Sequence, residues 1–87
     1  MSKPAEVNLG DPIRIETGNT AISAVVTLML ETSCEALYID ESGKVRAEEV
    51  QWHDGAWRFV HLTSVGIDAE ASGRLRPFII KLRGKLK

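Results

Sequence analysis

The side chains able to do chemistry are two imidazoles, His53 and His61, a handful of serines and twelve carboxylates. A Ser-His-acid set can be assembled on paper from any such inventory, so spacing has to decide. No Gly-x-Ser-x-Gly elbow, no phosphate-cradling Gly-x-x-x-x-Gly-Lys and no His-Glu-x-x-His occurs. His61 falls opposite Glu48 in the hairpin register derived below, which brings a carboxylate to the imidazole as acid–base catalysis requires. The same pair on a solvated face is an ordinary cross-strand contact worth about 0.2–1 kcal/mol. We expect no catalytic residue and a non-enzymatic protein, and keep a small enzyme using His61 with Glu48 as the alternative. His53 stands beside a turn, on the opposite face from His61 in this register, and His53 with Asp54 gives adjacent ligands instead of a convergent set. We therefore expect no metal and no cofactor.

Cys34 is the lone thiol, so neither an intrachain disulfide nor a thiolate cluster can form. Its neighbours Ser33 and Glu35 bring no positive charge to activate it, and a small buried hydrophobe is expected there.

Binding has better support than catalysis. Tyr38, Trp52, Trp57 and Phe59 are four of the five aromatic residues. Trp52 and Trp57, paired across a hairpin, would form either a stacking platform or the core of a domain with few other large residues. The charge is also uneven. Residues 1–73 carry five basic and all twelve acidic side chains, a net of −7, whereas residues 74–87 carry six basic ones and no acid. Such a terminus either lies against its own acidic body or meets an anionic partner. The expected partner-contact residues are thus Trp52, Trp57, Arg74, Arg76, Lys81 and Arg83, acting on a protein partner or on a second copy in a homodimer. Nucleic-acid binding through the basic segment is the alternative. Neutralising six phosphates would give log K against log salt a slope of about −5 on duplex DNA.

Three turn signals position these side chains. Gly18-Asn19 as a two-residue loop sets Ile15 opposite Ile22 and Ile13 opposite Ala24, with the same face continuing through Val26, Leu28 and Leu30. Glu41-Ser42-Gly43 as a three-residue loop sets Asp40 opposite Lys44, Ile39 opposite Val45 and Leu37 opposite Ala47. Asp54-Gly55 sets His53 opposite Ala56, Trp52 opposite Trp57, Val50 opposite Phe59 and Glu48 opposite His61. Residues 20–31 fit alternation and a helical stripe about equally, and the β-branched run Val25-Val26-Thr27 tips them toward strand. Past Leu62 a loop over 63–66 leads to a short strand or turn over Ile67 to Ala71. The final segment fits a helix from about Pro77, which aligns Leu75, Phe78, Ile79, Leu82 and Leu86, somewhat better than a strand.

An 87-residue chain with 44% hydrophobic and 26% charged residues is one globular domain, 1–87, with an extended lead-in over 1–10 and a basic C-terminal segment over 74–87. Its longest apolar stretch, Ala21 to Leu30, is about half of the roughly 20 residues a bilayer span needs. With no apolar leader and one cysteine, a cytoplasmic protein without a membrane span is expected. The expected fold is mainly β, a small antiparallel meander or barrel with at most one or two helices. The alternative is an α+β fold with a helix over 20–32 packed on an antiparallel sheet. Open sheet edges would favour pairing with a second copy.

Overall fold

The computed structural model describes residues 7–61 and 66–85. Five strands, β1 (Pro12–Glu16), β2 (Ala21–Met29), β3 (Cys34–Ile39), β4 (Val45–His53) and β5 (Ala56–Phe59), follow one another as an antiparallel meander. Five is an odd number, so the first and last strands run the same way and the barrel can close only through a parallel pair. That closure is made at Ile15 opposite Trp57. A two-residue strand, β6 (Ile67–Asp68), then adds to β4 at Ala47 and Arg46. Two single-turn 3-10 helices, Ala69–Ala71 and Gly73–Leu75, lead into α1 (Arg76–Lys85). The protein is thus a mainly β barrel with one helix, and among the described residues no helix is long and apolar enough to cross a membrane.

The turns explain why the chain reverses where it does. Asp54 and Gly55 both take positive φ, 57° and 80°, as a type I′ hairpin turn demands, and the ladder behind them pairs Trp52 with Trp57 and Val50 with Phe59. Gly43, at φ 85°, completes the three-residue loop between Asp40 and Lys44, behind which Ile39 pairs with Val45. There the Asp40 carboxylate accepts from the Ser42 and Lys44 backbone N–H groups, both at 2.9 Å, and from Arg46 Nε at 3.1 Å. Asp40 is thus paired with Arg46, two residues beyond the Lys44 that faces it. The first hairpin closes with Thr17 N–H on Thr20 O at 2.9 Å, and Ile15–Ile22 and Ile13–Ala24 pair as expected.

One wall of sheet separates two apolar clusters. Inside the barrel lie Ile13, Ile15, Ala24, Val26, Cys34, Ala36, Tyr38, Val50 and Trp57. Outside, Val25, Leu37, Val45 and Ala47 are covered by Ala69, Leu75, Ile79 and Leu82 of the C-terminal elements. Both faces of β2 are therefore buried from Ala24 to Thr27, where a half-solvated strand would alternate. This double burial is why helix and strand looked alike over 20–32. The segment is a strand, and the α+β alternative is set aside.

Two register expectations fail. The ladder between β2 and β3 slips between Val26, opposite Ala36, and Leu28, opposite Glu35, so Thr27 is one residue too many. Leu28 and Leu30 consequently leave the barrel's inner face and stand 42% and 41% exposed. The β4–β5 ladder ends at Val50–Phe59, so His61 does not reach Glu48. It meets Glu49 on the outer side, the side to which His53 also belongs by alternation along β4. Glu48 is buried, 9% exposed, on the inward side with Val50. Closure also removes most of the free edge that would have invited a second copy. The loop expected over 63–66, the lead-in before residue 7 and Leu86 fall outside the described residues except at Gly66.

The outer cluster sets a stability difference within one helix. Leu82 is 1% exposed and Ile80 69%. Leu82→Ala should cost about 2–4 kcal/mol and Ile80→Ala less than about 0.5 kcal/mol. Urea midpoints of the two variants check this, and comparable losses would mean that α1 is not seated on the barrel.

Candidate interaction surface

Glu35 on β3 and Glu49 on β4 are direct cross-strand partners on the outer face. Like charges so placed repel, and each carboxylate is met by a hydroxyl and a basic side chain of its own. Arg74 forks onto Glu35, with Nη1–Oε1 and Nη2–Oε2 both at 3.0 Å, while Thr27 Oγ1 donates to Oε1 at 2.6 Å. Burial works against the Glu35 charge, but the Arg74 and Thr27 hydrogen bonds outweigh it and hold the carboxyl below its ordinary range. Ser33 Oγ donates to Glu49 Oε2 at 2.6 Å, and His61 Nε2 lies 3.3 Å from Oε1. The Ser33 bond, aided by His61, lowers the Glu49 carboxyl likewise.

The order Ser33–Glu49–His61 matters chemically. A nucleophile relay needs the imidazole between hydroxyl and carboxylate, taking the hydroxyl proton. Here the carboxylate stands in the middle and occupies both neighbours. The arrangement orders two strand ends and does not activate the serine. Among the described residues no three His, Cys, Asp or Glu side chains are grouped to hold a metal ion.

The six residues expected to meet a partner do not share one surface. Trp52 and Trp57 do come together, ring centroids 5.6 Å apart and edge to face at 76°. They do so within the barrel, where Trp57 is only 8% exposed and Trp52 is half-buried against the same cluster. Arg74, Arg76, Lys81 and Arg83 belong to the C-terminal elements on the far side of the barrel wall. Arg74 is paired with Glu35, and Arg83 Nη2 with Glu70 Oε2 at 3.2 Å. Arg76 and Lys81 are exposed, and a Cβ placed on Gly10 would sit 3.0 Å from Lys81 Nζ.

A different surface emerges at the end of β2. Leu28, Met29 and Leu30 are 41–42% exposed, and Leu9 is 55% exposed. Gly10, next to Leu9, donates its N–H to Val26 O at 2.7 Å, which brings the 7–11 segment alongside this end of β2. Glu31 follows at the hairpin tip and Lys81 borders Gly10. The sequence carries a trace of this surface, because Leu28-Met29-Leu30 places apolar residues on both parities where alternation should have stopped. The chain matches no protein-family model, no curated protein and no solved structure.

The two outer-face carboxylates and Asp40, lowered first by its bond from the Lys44 backbone, set a pH dependence. A carboxyl depressed by folding stabilises the native state above its unfolded pKa, about 4. That contribution is lost as pH falls through the lower folded value. Urea midpoints should therefore hold from neutrality to about pH 5 and fall below about pH 4. Glu35→Gln should start lower and fall less steeply, and an acid limb of unchanged slope would detach the Glu35–Arg74 fork from stability.

Proposed function

We propose that this protein is a small non-catalytic interaction module that binds protein partners through the corner made by Leu9, Leu28, Met29 and Leu30, with Glu31 and Lys81 at its rim. The observation behind this is the clustering of exposed apolar side chains. Four of the seven large hydrophobics left exposed among the described residues, Leu9, Leu28, Met29 and Leu30, belong to this corner. Scattered surface leucines are ordinary, but exposed apolar residues gathered at one strand end, Leu28 and Leu30 on one face and Met29 on the other, beside charged residues are a common composition of a docking site.

The barrel supplies what such a site needs. The β2–β3 hairpin is held by Leu30 N–H on Ser33 O at 2.9 Å and by the Thr27 and Ser33 hydroxyls on Glu35 and Glu49. The leucines are thus presented on a braced support, so little ordering cost falls on binding. Nucleic-acid binding through the basic segment is the weaker reading, because Arg74 and Arg83 already have carboxylate partners. A polyanion would have to displace both.

Selection from a random-peptide display library tests the proposal without a known partner. Peptides enriched on the wild type should carry apolar clusters and bind a Leu28→Ser/Leu30→Ser variant at least about tenfold more weakly. Circular dichroism should show that variant folded, since both positions are exposed. Enriched peptides that bind the two proteins equally would place the docking site elsewhere.

A further inference from the structure

We infer that the partner fitted to this corner is a second copy of the chain, joined by antiparallel pairing of the two Leu28–Leu30 segments about a two-fold axis at Met29. The inference rests on the proposed docking surface and adds the identity of its occupant.

The first support is an unpaired backbone edge. Val26 is the last β2 residue bonded on the β1 side, its N–H donating to Asp11 O at 3.0 Å and its carbonyl accepting from Gly10 N–H. Beyond it, among the described residues, β2 pairs only with β3, Leu28 against Glu35 and Met29 against Cys34. Among the described residues the closed barrel therefore still has a short open edge here. Leu28, Met29 and Leu30 include none of the charges or prolines that usually block such an edge.

The second support is charge complementarity. A two-fold interface must complement itself, which an apolar strip does automatically and a charged rim does only if both signs are present in the right places. Antiparallel pairing about Met29 sets Leu28 against Leu30 of the second copy and Thr27 against its Glu31. Gly10 lies on that same side of β2, next to Val26, and the Lys81 ammonium borders it. Glu31 of the second copy is thereby brought to Lys81, and symmetry makes the contact twice. Among the described residues neither Glu31 nor Lys81 has an ion-pair partner within its own chain.

Light scattering over a concentration series, with charge exchange, tests both supports. The wild type should dimerise with a Kd of about 10–100 μM, the range for a short edge with a small apolar centre. Glu31→Lys and Lys81→Glu should each weaken it at least about tenfold, because both symmetric contacts become repulsive. An equimolar mixture of the two variants should recover the wild-type Kd, since each mixed pair again opposes unlike charges. A wild type that stays monomeric at about 1 mM, far above that Kd, overturns the inference. So does a mixture no tighter than either variant alone. Peptide selection reads the surface separately: retained discrimination with a monomeric wild type removes only the second copy, whereas lost discrimination removes the surface itself.

Discussion

Burial of both faces of one stretch of sheet is the constraint from which most of the architecture follows. The wall made by β2, β3 and β4 has the barrel interior on one side and the C-terminal elements on the other. A chain of 87 residues is short of apolar volume, and sharing a wall lets one set of strands serve two clusters. The demand falls hardest on residues 24–27, which are buried on both parities. They are Ala, Val, Val and Thr, compact side chains of which three are β-branched and suited to an extended backbone. The C-terminal helix need not be strongly amphipathic under this arrangement. It needs only Ile79 and Leu82, with Leu75 of the turn before it, on the side that meets Val25 and Leu37.

How much of this was legible in the sequence depended on distance along the chain. Ile15–Ile22, Ile39–Val45 and Trp52–Trp57 were readable because each hairpin announces its turn and register propagates outward from it. Propagation failed where something other than the turn intervened. Thr27 inserts one residue after a correct start, and nothing in Val26-Thr27-Leu28 marks it, because the bulge is stabilised by the Thr27 hydroxyl on Glu35 eight residues later. His61 was assigned to Glu48 by extending the ladder past Phe59, where β5 leaves β4. The Ile15–Trp57 closure joins residues 42 positions apart and has no local signal, although the parity of a five-strand meander required it to be parallel. The aromatic pair was foreseen as a contact, but whether its surround was solvent or core depended on that same closure.

The charge asymmetry is accounted for at the junction between barrel and C-terminal elements. Arg74 is 51% exposed and Glu35 14%, so their fork is shielded on the acid's side and open on the base's. An exposed pair is worth about 0–1 kcal/mol, and two parallel hydrogen bonds add direction more than stability. Direction is what the junction lacks otherwise, since leucines and valines slide over one another without a preferred register. The acidic body and basic end are therefore complementary within the chain in part: Arg74 and Arg83 are matched, while Arg76 and Lys81 face outward.

The bulge ties the constraint to the surface. From Ala24 to Val26, β2 has neighbours on both edges and cover on both faces. The inserted Thr27 uses its hydroxyl to finish the polar array around Glu35, and after it Leu28 is on the outer side with Glu35 while Met29 takes the side of Cys34. Had the ladder run on without slipping, Leu28 would have faced inward with Val26 and left no apolar strip to explain. A single-residue register shift moves side chains from core to solvent at no cost in composition. The apolar character of Leu28-Met29-Leu30 is thus not used by either interior cluster, neither of which includes these residues. Side chains that a fold exposes and does not use for its own packing are the ones whose chemistry points outward, toward another molecule.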